Sequence, residues 1–131
     1  MSVLVLVVDD EPDVEALFRQ QFRREVRQGL YLLNFALSAQ AALEALDEDV
    51  GAEVNLLVSD INMPGMTGLD MLPILKARRP DLPVFMISAY GDEATMANAL
   101  ERGANDYLTK PVDFARLKQC IGAVAAATRG N

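Results

Sequence analysis

Val54-Asn55-Leu56-Leu57-Val58-Ser59-Asp60-Ile61-Asn62-Met63-Pro64-Gly65-Met66-Thr67-Gly68 is the stretch on which the reading of this chain turns. An apolar run with the pattern of a strand stops at a carboxylate, Asp60, and a Pro-Gly turn follows at once. In a parallel α/β sheet such a carboxylate projects from the carboxyl edge, where ligands bind. Taken alone, Asp60 reads equally well as a chemically used side chain or as an acidic loop residue or helix cap. The rest of the chain decides between them.

Upstream, Val3–Val8 is a continuous β-branched and leucine run, the pattern of a strand buried on both faces. It ends in Asp9-Asp10-Glu11-Pro12, where proline and acidic residues suit the first turn of a helix. Val14, Leu17, Phe18 and Phe22 then recur at helical spacing and are expected inward, with Arg19, Arg23, Arg24 and Arg27 mostly on other faces, and Gly29 closes that helix. Tyr31–Leu37 reads as a second strand, and Ser38 as the N-cap of a short helix carrying Ala41, Ala42, Leu43 and Leu46. Asp47-Glu48-Asp49 and Gly51 form a loop before the third strand, Val54–Ser59.

Downstream, Thr67 or Gly68 opens a third helix with Leu69, Leu72 and Leu75 inward. Pro73 removes the backbone bond to the Leu69 carbonyl, so its first turn is expected to loosen without breaking the helix. Val84–Ile87 is a fourth strand ending at Ser88. Asp92 caps a fourth helix that runs through Leu100 and closes at Gly103. Ala104–Leu108 is a short fifth strand, placed at an edge, ending at Thr109-Lys110-Pro111. Asp113 then caps a fifth helix with Phe114, Leu117, Ile121 and Val124 on one face, and residues 125–131 are expected to fray.

Five strand–helix units in 131 residues, with no internal repeat and no linker, make one α/β domain: a doubly wound parallel sheet with helices on both faces. The net charge of -7 argues against nucleic-acid binding through a basic surface. The six-residue apolar run at the N-terminus is too short for a signal-peptide core or a membrane span. Cys120, the only cysteine, forms no intrachain disulfide and reads as a small core residue, which fits a reducing, cytoplasmic address. Histidine is absent, so the chain carries no phosphohistidine or imidazole base of its own, and a metal here would be a hard cation on oxygen ligands.

A doubly wound sheet gathers its strand ends along one edge. Asp9 and Asp10, Asp60, Ser88 and Lys110 each follow a strand and therefore converge. Uncompensated, three neighbouring carboxylates repel strongly. Mg²⁺ relieves such repulsion, because it takes one or two carboxylates plus substrate phosphate and keeps several waters. Lys110 can pair with a carboxylate at rest and with a phosphoryl oxygen in action, and Ser88 offers a hydroxyl to another. A carboxylate can itself be the nucleophile of phosphoryl transfer, a reaction governed by positioning and charge neutralisation. Singly, each residue has a bland reading: Asp9, Asp10 and Glu11 as a helix start, Ser88 as a loop residue or cap, Lys110 as a solvated lysine. After successive strands, the bland reading no longer covers them together.

At this point the sequence resembles the receiver domain of two-component response regulators. The resemblance rests on Val7-Val8-Asp9-Asp10-Glu11, Ser59-Asp60-Ile61-Asn62-Met63-Pro64-Gly65-Met66-Thr67-Gly68, Ile87-Ser88-Ala89-Tyr90 and Asp106-Tyr107-Leu108-Thr109-Lys110-Pro111, in that order, and covers about residues 2–125. It implies a flavodoxin-like receiver fold with strand order 2-1-3-4-5, a receiver domain over residues 1–125, and a tail or start of a linker at 126–131. It implies Asp60 as phosphoacceptor, and Mg²⁺ on Asp10, Asp60 and the backbone carbonyl of Asn62, with Asp9 helping directly or through water. Lys110, Ser88 and the backbone amides near Asn62 and Ala89 would hold the phosphoryl group, and the Lys110–Pro111 bond is expected to be cis.

On switching, Ser88 would move toward the phosphoryl group and Tyr107 would rotate inward from a more exposed position. That changes the surface of the fourth helix, fifth strand and fifth helix. The implied partners are a sensor histidine kinase or phosphotransfer protein, a downstream output domain or protein, and, as one option, a second copy in a homodimer. Neither nucleic acid nor membrane is contacted directly, and no enzyme activity is implied beyond self-catalysed phosphoryl transfer and slow autodephosphorylation. Ser88 stands where threonine is commoner, and Asn62 and Tyr90 occupy positions that modulate phosphoryl lifetime in the family. Two alternatives stay open: an aspartate-nucleophile, Mg²⁺-dependent phosphatase of the haloacid-dehalogenase type, although Asn62 stands where that class has its general acid, and a receiver that acts only by docking. A nucleotide-binding domain is the weakest rival, since no Gly-rich phosphate loop occurs.

Overall fold

The computed structural model describes residues 3–47, 53–89, 91 and 93–129. Five strands, β1 (Val3–Val8), β2 (Tyr31–Ala36), β3 (Leu56–Asp60), β4 (Val84–Ser88) and β5 (Asp106–Thr109), form one sheet in the order β2-β1-β3-β4-β5. Every pairing is parallel, with Val5 opposite both Leu33 and Leu56, Asp60 opposite Ile87, and Ser88 opposite Thr109. The helices are α1 (Asp13–Gln21), α2 (Arg23–Arg27), α3 (Ala39–Asp47), α4 (Gly68–Arg78), α5 (Glu93–Glu101) and α6 (Phe114–Arg129). Because α1 and α2 divide what reads in sequence as one helix, the expected fourth and fifth helices are α5 and α6.

Strand alternation splits the interior into two cores. Leu4, Leu6 and Val8 face a core completed by Leu43 of α3, Leu72 of α4 and Ala99 of α5. Val3, Val5 and Val7 face the other, with Phe18, Phe22, Leu117 and Ile121. Both faces of β1 and β3 are covered, which is why these strands read as unbroken apolar runs. β5 takes the edge assigned to it from its weak pattern.

The first helix departs from its periodic reading. Its turn breaks at Phe22 (φ -102°, ψ 13°), although Phe22 N–H still reaches the Phe18 carbonyl and Val26 N–H the Phe22 carbonyl, each at 2.9 Å. Neither proline nor glycine causes the break. Phe22 is fully buried, stacked on Phe18 and edge-on to Tyr31 and Phe114, so aromatic packing fixes the bend. Leu17, expected inward, is 43% exposed, because Phe18 beside it takes the sheet-facing direction. Gly29 (φ +74°) ends α2: its N–H bonds the Val26 carbonyl, and Leu30 N–H bonds that of Glu25, the paired closure that favours glycine.

The capping expectations for Ser38 and Asp113 hold, with Ala41 N–H on Ser38 Oγ at 3.0 Å and Arg116 N–H on Asp113 Oδ1 at 3.2 Å. Thr67 caps α4 in a reciprocal box with Asp70. Pro73 does not break α4; the Leu69 carbonyl, deprived of its usual donor, accepts from Arg102 Nη1 at 2.9 Å. α6 stays helical to Arg129 where fraying was expected after Val124, consistent with the helix propensity of its alanine-rich end. The expected roles of Glu48, Asp49 and Gly51 in the loop, of Tyr90 beside the site and of Asp92 as a cap lie outside the described residues.

Candidate functional site

The carboxyl edge of the sheet is built by the backbone first. Asp9 N–H bonds the Ala36 carbonyl at 3.1 Å, Ile61 N–H the Ile87 carbonyl at 2.9 Å, and Lys110 N–H the Ser88 carbonyl at 2.8 Å. These bonds fix the positions where Asp9, Asp60, Ser88 and Lys110 leave their strands. The Lys110–Pro111 peptide is cis, as expected.

Asp60 closes the central strand β3 and is buried. Its Oδ2 meets Lys110 Nζ at 2.9 Å, and its Oδ1 accepts the Asn62 backbone N–H at 3.1 Å. Asp9 is buried too; Oδ1 accepts Glu11 N–H at 3.0 Å, and Oδ2 lies 3.9 Å from Lys110 Nζ. Asp9, Asp10 and Asp60 each offer a carboxylate oxygen within 4.8 Å of the others.

That crowding has electrostatic consequences. Burial pushes the Asp9 carboxyl up to about 6, the Asp60 and Asp10 charges push the same way, and the Glu11 N–H and Lys110 only partly offset them. For Lys110, burial alone would lower the pKa, but the hydrogen bond to Asp60 and the charges of Asp60, Asp9 and Glu11 outweigh it and raise the value. One ammonium therefore serves two buried carboxylates. The donor set is all oxygen, its charge exceeds what Lys110 neutralises, and one member is driven toward its neutral form. A hard divalent cation fits such a set.

Ser88 is fully buried, and its Oγ accepts from Asn62 Nδ2 at 3.4 Å. Tyr107 was expected to rest in a more exposed position, but it is 4% exposed and packs in the core that holds Met86, its cross-strand neighbour. Asp9, Asp10, Asp60, Asn62, Ser88 and Lys110 thus share one edge, while Tyr107 points into the sheet's interior beside it.

Three residues contribute in ways that go beyond their sequence reading as a helix start, a turn and a strand residue. Gly68 N–H bonds the Ile61 carbonyl at 2.9 Å, and a Cβ there would sit 2.5 Å from the Asp60 carbonyl oxygen and 2.7 Å from Met86 Cε. Only glycine lets α4 approach the Asp60 backbone so closely, and its place at a helix start just past the turn was the available signal. Gly65 (φ +76°) supplies the left-handed residue the Pro64-Gly65 turn requires. Ser59 Oγ donates to the Asp60 carbonyl at 2.9 Å, a contact without sequence signature.

Comparison with known proteins places the chain in one family and one fold. The model of the response regulator receiver domain matches residues 5–122. The response regulator protein PilR of Pseudomonas aeruginosa is 38% identical over 116 residues, which are 88% of this chain and 24% of PilR. The chain spans about a quarter of the length of the first curated relatives it matches. Among solved structures, the signal receiver domain of an HD domain-containing protein from Pseudomonas fluorescens superposes with a TM-score of 0.86 at 23% identity, covering both chains whole. A chain of the CheX–CheY–BeF3–Mg complex from Borrelia burgdorferi gives 0.80 at 28% identity over 93% of this chain and 88% of that one. Among the described residues no helix is long and apolar enough to cross a membrane.

Proposed function

We propose, from the premise that this chain belongs to the response regulator receiver domain family, that residues 1–125 form a signalling switch thrown by phosphorylation of Asp60. The observation that carries this reading is the setting of Asp60: buried at the end of the central strand, with Lys110 Nζ on one oxygen and the Asn62 N–H on the other.

The phosphoryl donor is a phosphohistidine on a sensor kinase or phosphotransfer protein. An Asp60 oxygen attacks phosphorus; the P–O bond forms as the P–N bond breaks, and the departing imidazole keeps the electron pair. Asp9, Asp10, Asp60 and the Asn62 carbonyl would hold Mg²⁺. When bound, the ion neutralises charge on the phosphoryl oxygens. Lys110 exchanges its Asp60 oxygen for a phosphoryl oxygen, holding both reactants in line. The chain acts on itself only, with slow autodephosphorylation and no turnover of an external substrate.

Readout begins at Ser88. Its hydroxyl leaves the Asn62 amide and donates to the new phosphoryl group, drawing the end of β4 toward Asp60. Tyr107, paired through Met86 on β4, adjusts its packing in response. The surface formed by α5, β5 and α6 then favours a different partner, either an output domain or protein or a second copy in a homodimer. The setting is the cytoplasm, where sensor kinases present their phosphohistidine.

Incubation with acetyl phosphate and Mg²⁺, followed by intact mass measurement, tests the reading. One phosphoryl group is gained, and the gain disappears in Asp60→Asn and after chelation. Labelling that survives Asp60→Asn overturns the assignment.

A further inference from the structure

We propose that the arginine face of α1 and α2 is a docking site for a short acidic segment of a protein partner, distinct from the phosphorylation site. Arg19, Arg23 and Arg27 line one shallow groove together with Val26 despite the break at Phe22 and so form one stripe, with Arg24 beside it. Arg19 is held in place by Glu15 at 3.0 Å and lies over the Phe35 ring at 4.9 Å. Arg23, Arg24 and Arg27 are exposed, and their side chains have no ion-pair or hydrogen-bond partner among the described residues. The carboxylate closest to them in sequence, Glu25, is turned inward onto Lys118 of α6 at 3.1 Å and leaves the three guanidiniums unneutralised.

Like charges one helical turn apart repel, and this stripe occurs in a chain whose net charge is -7. An anionic group lying against the stripe relieves that repulsion. Its shape suits a partner: Arg23, Arg24 and Arg27 line an open groove of about 730 Å³ with Gln20, Gln21 and Gln28, and the Glu25–Lys118 ion pair completes its lining. Val26 and Leu30, each 38% exposed, add apolar ground beside the charges. Guanidinium forks recognise carboxylates bidentately, and glutamine amides supply neutral donors.

The occupant follows from the extent of the charge. Three free guanidiniums over little more than one helical turn match two or three carboxylates. A long duplex or an anionic bilayer would instead bring negative charge against the acidic remainder of the molecule. A compact acidic peptide avoids that penalty. The face also lies away from the chemistry: α2 leads through Gly29 and Leu30 into the start of β2, and the Leu30 carbonyl accepts from Val3 N–H at 2.9 Å, at the amino edge of the sheet opposite Asp60.

The test is fluorescence anisotropy with a labelled peptide carrying glutamates at i, i+4 and i+8 and leucines between them. It is compared with a short DNA duplex and with phosphatidylserine vesicles. The expected result is saturable peptide binding at low salt that weakens with added salt, with amide shifts confined to the α1–α2 face. Arg27→Glu should weaken it by about tenfold or more, whereas Arg78→Glu, an equal charge change at a site paired with Asp47, should leave it within about threefold. Equal weakening by both variants, absence of peptide binding, or tighter binding of the duplex or vesicles would overturn the proposal.

Discussion

Asp9→Asn offers a quantitative view of how the acidic edge is balanced. Asp9 is 8% exposed, and its carboxyl is pushed from 3.8 to about 6 in the metal-free fold. A carboxyl with a raised folded-state pKa makes the native state bind its proton more tightly than the unfolded chain does. Its ionisation therefore costs nothing below pH 3.8 and destabilises increasingly as pH rises through about 6. Asparagine keeps an oxygen for the Glu11 N–H and never ionises, so the variant escapes this cost. Linkage puts its advantage at about 2 kcal/mol at pH 5 and about 3 kcal/mol at pH 8.

Urea denaturation of both proteins in chelator, at pH 5, 6, 7 and 8, measures the difference directly. The slope with pH reports the ionisation of Asp9, whose pKa of about 6 lies inside that range. Saturating Mg²⁺ should then raise the stability of the wild-type protein far more than that of the variant, since binding to the native state stabilises it by mass action. An advantage that stays flat from pH 5 to pH 8, or a wild-type protein more stable than Asp9→Asn at pH 8 in chelator, would refute the reasoning.

Two further substitutions probe separate parts of the edge. Lys110→Ala removes the cation that contacts Asp60 at 2.9 Å. Some phosphorylation should survive on mass measurement, while the chemical-shift response of α5, β5 and α6 to it weakens; an unchanged response would remove Lys110 from the switch. Gly68→Ala places a Cβ 2.5 Å from the Asp60 carbonyl oxygen, so the start of α4 must move, with a loss of about 1–3 kcal/mol in chemical denaturation and slower labelling of Asp60. Unaltered stability and labelling would mean that the close approach of α4 to β3 has no part in shaping the site.

Much of this was legible in the chain because the signals are local and periodic. Apolar runs such as those of β1 and β3 read as strands buried on both faces, and alternation of strands with helices points to a doubly wound sheet. Asp9, Asp60, Ser88 and Lys110 then meet for topological reasons, since parallel strands end on one edge. What stayed hidden depends on three-dimensional packing. The break at Phe22 comes from rings contributed by Tyr31 and Phe114, residues remote in sequence. Leu17 and Phe18 are neighbours of similar hydropathy, and only the sheet's position decides that Phe18 is covered. The inward setting of Tyr107 comes from packing in the core that also holds Met86. The Asn62–Ser88 contact joins a loop to a strand end 26 residues away. Arg102 taking the carbonyl freed by Pro73 could not be read from either residue alone.

The central claim is that Asp60, and no other side chain, carries the phosphoryl group. Borohydride reduction of the phosphorylated protein converts an aspartyl phosphate to homoserine, and peptide mass mapping then locates it. Homoserine at position 60, absent when Mg²⁺ is chelated before phosphorylation, is the predicted result. Homoserine at Asp9 or Asp10, or a borohydride-stable phosphate on Ser88, would contradict it.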